Sequence, residues 1–167
     1  MFELEKTEEV KELIAITKSD SGVSGPRLAK AHMRLGGLVA EHLPELNPLD
    51  TTIVAIMRGG IFFAEGMYFA LGCRLETYDP KHQKFERPGT KNVILVDSVI
   101  NTGKTIRDIL APDMYVACCV INERAVPAFS DMLYTARVSR NFYVGEDVKR
   151  QSGGIGPDTT MRLFNQL

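Results

Sequence analysis

The strongest constraint on the fold is a set of short apolar runs: Thr52 to Met57, Asn92 to Val96 and Met114 to Ile121. Each is of strand length and lacks polar alternation, so each reads as a strand buried on both faces. The first passes through Arg58-Gly59-Gly60 into a helical stretch from about Ile61 to Leu71, and the second through a short polar turn into a helix expected over Thr102 to Leu110. A further strand is expected from Cys73 to Tyr78. Strands alternating with helices predict an α/β fold, a mostly parallel twisted sheet flanked by helices, with ligands beyond the carboxyl ends of the strands.

Ahead of this core, Leu4, Val10, Leu13, Ile14 and Ile16 recur at helical spacing and predict a first amphipathic helix ending near Lys18. Ser19 to Gly25 reads as a loop. Ser24, Gly25 and Pro26 mark the entry of a second helix, whose period runs through Leu28, His32, Leu35, Val39 and Leu43 until Pro44 stops it. Gly36 and Gly37 either permit close packing of that helix or weaken it. Beyond Ile121 the pattern predicts a helix around Ala128 to Tyr134, strand pieces near Ala136 to Val138 and Phe142 to Val144, and a Gly-rich tail. A chain of 167 residues buries one substantial core more comfortably than two, so one domain is expected. Within it, residues 1–45 supply N-terminal helices, 50–122 the core and 140–167 the tail.

A net charge of -1 and a pI near 6.3 leave no broad basic field for nucleic acid, so any phosphate site must be local. Adjacent Cys118 and Cys119 are not expected to pair, and with Cys73 and the three histidines they show no metal-ligand spacing; core packing is their expected role. Met1 to Lys18 lacks a signal-peptide core, and no apolar run approaches the roughly 18 residues of a bilayer span. A soluble, cytoplasmic protein with no membrane or nucleic-acid partner is expected. His32 and His42 read as structural residues, and only His82, in the polar segment Asp79 to Thr90, lies where a lid would be. Phe62, Phe63, Met67 and Phe69 read as the buried face of the helix after Gly60.

The segment from Val93 to Thr105 carries the chemistry. It places Asp97 at the end of a buried strand and Ser98, Asn101, Thr102, Gly103, Lys104 and Thr105 at a helix entry. Backbone N–H groups of a first helical turn can surround phosphate oxygens, Thr102 and Thr105 add hydroxyls, and Gly103 permits close approach. Asp97, about one sugar ring away, can accept from ribose hydroxyls. Asp97 and Thr102 serving only as caps is the plainer alternative.

Hydrophobic strand, Asp, one residue, Val-Ile, one residue, Thr-Gly, one residue, Thr resembles the 5-phosphoribosyl 1-diphosphate (PRPP) signature of type I phosphoribosyltransferases. Two positions depart from it: Ser98 stands where many members have a second acid, and Lys104 where Gly is usual. Uracil phosphoribosyltransferases also lack the second acid. Lys104 either adds a cation to the 5-phosphate or faces solvent. Arg58, Gly59 and Gly60 resemble the family's pyrophosphate loop, where glycines aim N–H groups at a diphosphate and Arg58 can add a bidentate contact. The tail Gly153-Gly154-Ile155-Gly156-Pro157-Asp158, followed by Arg162-Leu163-Phe164, is similar to the base-binding region of the uracil enzymes, although its spacing differs by a residue. It either presents Gly154, Ile155, Gly156 and Asp158 to a base, or is a terminal turn with Arg162 on the surface.

The resemblance implies transfer of a phosphoribosyl group from PRPP to a nucleobase, with Arg58 and Asp97 as the central groups. It also implies Mg²⁺ bound mainly through PRPP, no dedicated metal ligands, and a homodimer or higher homo-oligomer. Uracil is the expected base; a purine transferase and a non-enzymatic PRPP-binding or nucleotide-binding regulator are the alternatives. The 79–90 segment is shorter than the hairpin arm usual in the uracil enzymes.

Overall fold

The computed structural model describes residues 1–129, 131–140 and 158–167. Among these, the elements in chain order are β1 (Phe2–Glu3), α1 (Glu8–Thr17), α2 (Gly25–Ala40), β2 (Thr51–Ile56), α3 (Ile61–Leu71), β3 (Arg74–Tyr78), β4 (Asn92–Ile100), α4 (Lys104–Arg107), β5 (Tyr115–Asn122), β6 (Leu133–Ser139) and α5 (Thr159–Leu163). The six strands form one sheet in the order β1-β6-β5-β4-β2-β3, and every neighbouring pair is parallel.

The apolar runs become the central strands because both of their faces are covered. Ile53 and Ala55 of β2, Ile94 and Val96 of β4, and Ala117 and Cys119 of β5 pack with Leu35, Val39, Phe63 and Met67 on the α2–α3 side. Val54, Ile56, Val93, Leu95, Val116 and Cys118 point the opposite way, towards Ile106, Phe129 and Leu133. Alternate residues of an extended chain face opposite sides, so Cys118 and Cys119 sit in separate halves of the core. Burial pushes both thiols above the ordinary cysteine range. His32 is buried in α2, where its Nδ1–H donates to Leu28 O at 3.0 Å, and burial lowers its pKa to about 4.

Several boundaries differ from the sequence expectations. Leu4 precedes the first helix, which starts after the Thr7 cap, and Phe2–Glu3 instead pairs with β6 as an edge strand, with the Phe2 ring stacked on His42 at 4.3 Å. β4 does not end at Val96. It continues to Ile100 because Asp97, Val99 and Ile100 stay in register with Cys118, Val120 and Ile121. The helix expected over Thr102 to Leu110 contracts to Lys104–Arg107, since Gly103 adopts a left-handed conformation (φ 72°) and the chain turns off after Arg107. Among the described residues no α-helix forms around Ala128 to Tyr134; Val126–Ala128 is a short 3-10 turn, and Leu133 already pairs with Val116. β-Branched and aromatic residues beside an existing strand edge win over weak helical periodicity there. Phe63 and Met67 are buried as expected, but Phe69 is 68% exposed, because a helix apolar around its whole circumference turns one side outward. Phe142 to Val144 lies outside the described residues. Among the described residues no helix is long and apolar enough to cross a membrane.

Helices α2 and α3 cross at glycines. A Cβ on Gly36 would run into Phe63 O, and one on Gly66 into Met33 O. Gly36 therefore permits close packing, as one of the two sequence alternatives held. Gly66→Ala is expected to force the helices apart and cost about 1–3 kcal/mol, read as a lower urea midpoint with an unchanged m-value; an unaltered midpoint would show that the crossing relaxes freely.

Candidate functional site

The carboxyl ends of β2 and β4 open at the same edge of the sheet because the two strands are hydrogen-bonded neighbours, with Ala55 opposite Val96. The loop after β2 folds directly onto β4. Gly60 is what allows this, since a Cβ there would meet Val96 O and lie 2.8 Å from Ile56 O and 3.1 Å from the Asp97 Cα. The peptide joining Met57 to Arg58 in this loop is cis.

Beyond these ends lies a cavity of about 540 Å³, within the range of small-molecule sites. Its wall brings together Arg58 and Gly59 from the first loop, Asp97 and Ser98 from β4, Asn101 and Thr105 from the second loop and α4, and Asp158 with Thr159 and Thr160 from the start of α5. Asp79, Pro80, Lys81 and His82 complete it. Of the residues singled out in the sequence, Gly60 packs beneath the wall. Gly103 is buried behind it, where an added Cβ would lie 2.6 Å from the Phe129 ring. Thr102 is exposed and its Oγ1 accepts from Lys104 N at 3.3 Å. Lys104 points to solvent, with Nζ 2.5 Å from Asp108 Oδ2. Gly154, Ile155 and Gly156 lie outside the described residues.

Asp97 sits partly exposed at the cavity wall, its Oδ1 accepting from Ser98 N at 2.7 Å. Burial pushes its carboxyl up to about 7, against the opposing pull of the Ser98 and Val99 backbone N–H groups. A carboxylate at this pKa is poised between charged and neutral forms near neutral pH, which is a property of functional carboxylates as well as of buried structural ones. On the opposite wall, His82 Nδ1 lies 2.8 Å from Asp79 Oδ2. That bond, with the Lys81 backbone N–H, holds the Asp79 carboxyl below its ordinary range. Asp79, Asp97 and Asp158 all reach the wall, yet among the described residues no three His, Cys, Asp or Glu side chains converge as a metal site.

The α5 wall contains what the sequence did not disclose. Asp158 caps the helix, its Oδ1 accepting from Met161 N at 3.0 Å, and Thr160 approaches Gly59 closely enough that a Cβ on the glycine would lie 3.1 Å from Thr160 Oγ1. Arg162 is not on the surface. It is 1% exposed, and its guanidinium donates to Val23 O (2.9 and 3.1 Å), Thr17 O (3.4 Å) and Ser21 Oγ (3.0 Å), tying α5 to the loop between α1 and α2. Arg58 lies with its guanidinium carbon 5.0 Å from the centre of the Phe164 ring and donates from Nη2 to Gln166 Oε1 at 3.0 Å. The available signal was Asp158 as an N-cap before a five-residue helix, which places Arg162 and Leu163 together on the inward side; nothing in the sequence names the Thr17–Val23 loop as their partner.

The raised pKa of Asp97 has a defined consequence for stability. Between its unfolded value near 4 and its folded value of about 7, the native state holds more protons than the unfolded one, so stability falls as pH rises through that window. Asp97→Asn keeps an Oδ1 acceptor for Ser98 N but removes the titration. The variant is expected to match the wild type near pH 4 and exceed it in melting temperature at pH 8; parallel pH profiles would refute the burial of this carboxyl.

No family model matches the chain. Among curated proteins it is 28% identical over 109 residues to the Transcriptional regulator GfcR 2 of Methanosarcina barkeri, a match covering 58% of this chain and 54% of that one. The chain thus spans about half the length of that relative. Among solved structures, the AQ2163 protein of Aquifex aeolicus superposes with a TM-score of 0.64 at 16% identity, over 82% of this chain and 86% of that one. A hypoxanthine-guanine-xanthine phosphoribosyltransferase superposes with a TM-score of 0.50 at 16% identity, over 77% and 87%. The six-stranded parallel sheet with flanking helices is the type I phosphoribosyltransferase fold.

Proposed function

We propose that the cavity binds PRPP and that the protein transfers its phosphoribosyl group to a nucleobase, uracil before a purine. The observation that carries this reading is the meeting of Arg58 and Gly59, Asp97 and Ser98, and Asn101 and Thr105 on one wall system of about 540 Å³. In this reading Arg58 and Gly59 face the diphosphate with Gly60 packed beneath them, Asp97 and Ser98 face the ribose hydroxyls, and the turn from Asn101 to Thr105 faces the 5-phosphate. Asp158, with Gly154, Ile155 and Gly156, reads the base.

The reaction is a displacement at the anomeric carbon: a nucleobase nitrogen forms the new C–N bond and gives up its proton to solvent or to the departing pyrophosphate, while the C–O bond to pyrophosphate breaks and the leaving group takes the electron pair. No protein nucleophile takes part. The chain's own contribution is orientation and fixed charge, with Arg58 meeting the negative charge that grows on the departing diphosphate and ionised Asp97 meeting the positive charge on the ribose ring. An Asp97 carboxyl with a pKa of about 7 makes that second contribution pH-dependent, rising as the group ionises. Mg²⁺ suits a diphosphate substrate, and in this reading it enters with that substrate.

A second reading is favoured by the relative from Methanosarcina barkeri, which is a transcriptional regulator. On it, the cavity senses PRPP or a nucleotide without turnover, and the rest of a longer protein or a partner responds.

Pyrophosphate release from PRPP with Mg²⁺, measured with uracil, hypoxanthine, guanine, xanthine or orotate and without base, separates the readings. Uracil-dependent release is the expected result, and release with a purine would overturn the base assignment. Binding of PRPP without release for any base would favour the regulator. Asp97→Asn is expected to lower turnover by about 10-fold or more, on the scale of one lost electrostatic contact in a transition state; unchanged kinetics would remove Asp97 from the site.

A further inference from the structure

Arg58 is an exposed side chain with an unusual amount of support. The Phe164 ring lies 5.0 Å from its guanidinium carbon, and Gln166 Oε1 accepts from its Nη2 at 3.0 Å. Phe164 is itself held at 5.3 Å from the Phe62 ring, in the first turn of α3, so the ring beneath Arg58 is braced by the helix that follows the Arg58 loop. The segment bearing Phe164 and Gln166 is anchored independently. Leu163 is buried with Leu28 and Ala29 of α2, Arg162 is bonded into the Thr17–Val23 loop, and Ser24 Oγ donates to Asn165 Oδ1 at 3.3 Å.

A solvent-facing arginine ordinarily samples many rotamers, and a ligand that captures it bears that ordering cost. Here the planar guanidinium has a π face below and an amide acceptor at one edge. Both contacts leave the remaining N–H groups, arranged in a fixed fork, for an anion in the cavity that Arg58 lines. We infer that Phe164 and Gln166 are positioning residues for Arg58, holding its guanidinium at the cavity for the diphosphate end of the ligand. This rests on reading the cavity as a PRPP site, and it assigns a task to residues beyond the Gly-rich tail that no contact with the ligand requires.

The signature is selectivity between two parts of one ligand. Isothermal titration calorimetry with PRPP, inorganic pyrophosphate and ribose 5-phosphate is run on the wild type, on Arg58→Ala, on the pair Phe164→Leu with Gln166→Ala, and on all three together. The pair is expected to weaken PRPP and pyrophosphate by about 5- to 20-fold, the scale of a cation–π contact plus a hydrogen bond to a charged group, and to leave ribose 5-phosphate unchanged. With Arg58→Ala already in place, the pair is expected to cost nothing further, since a positioning role vanishes with the group positioned. Gln166→Ala alone, at an exposed site, gives the same test with a smaller loss if Phe164→Leu perturbs folding. Equal losses for pyrophosphate and ribose 5-phosphate, equal losses with and without Arg58, or no loss at all would each overturn the inference while leaving PRPP binding intact. A wild type that binds no PRPP would overturn the reading of the cavity, and this inference with it.

Discussion

The parallel pairing of β2 with β4 is the constraint on which the candidate site depends. Register from Thr51 opposite Asn92 to Ala55 opposite Val96 brings the Arg58 loop beside Asp97, in the later part of β4. Gly60 then closes the remaining gap, because its missing Cβ lets one loop lie on the carbonyl of Val96. Gly60 also lies against the backbone of Asp97, whose side chain is only partly exposed. A carboxyl pushed up to about 7 lowers stability as pH rises through neutrality, and the fold carries that cost with the group held beside the Arg58 loop.

The far wall is assembled by a different device. A five-residue helix has no stability of its own, since nucleation is costly and few hydrogen bonds follow. A local cap at Asp158 starts α5, and tertiary contacts, the burial of Leu163 and the Arg162 guanidinium, hold it in place. Arginine is suited to this, as its fork can satisfy several backbone carbonyls of an irregular loop at once, where a lysine would serve fewer. One short helix thereby joins the loop near residue 20, the Arg58 loop and the cavity wall.

Legibility in the sequence followed how local the determining physics was. β2, β4 and β5 were readable because strands buried on both faces need continuous apolar runs, and the places of Arg58 and Asp97 on the cavity wall follow from those runs. Sequence pattern failed where a distant partner decided the outcome. The strand expected near Ala136 to Val138 does form, as the middle of β6, but its start at Leu133 depends on the edge that β5 offers, and Phe2–Glu3 becomes a strand because β6 offers the next. Of the two readings of the tail, the one with Arg162 on the surface fails for the same reason: its partners, the carbonyls of Thr17 and Val23, are distant in sequence. The contraction of α4 had a local cause in Gly103, whose left-handed conformation delays the helix start.

Ser98 shows how these levels bear on one another. Its position resembles one that holds a second acid in many phosphoribosyltransferases, and here it is 2% exposed beneath the first loop. A Cβ on Gly59 would lie 3.1 Å from both Ser98 Oγ and Thr160 Oγ1, so the space between β4, the Arg58 loop and α5 is already filled by small hydroxyl side chains. A longer acidic side chain would have to displace Gly59 or Thr160, and its charge would enter a region where burial already raises the neighbouring Asp97. Two carboxylates so placed oppose each other's ionisation, so a second acid here would push ionisation of the pair to higher pH. A serine at this position keeps the loop closed on β4 and leaves a single ionising carboxyl at the strand end, which ties the departure from the family pattern to the packing of α5 against Gly59.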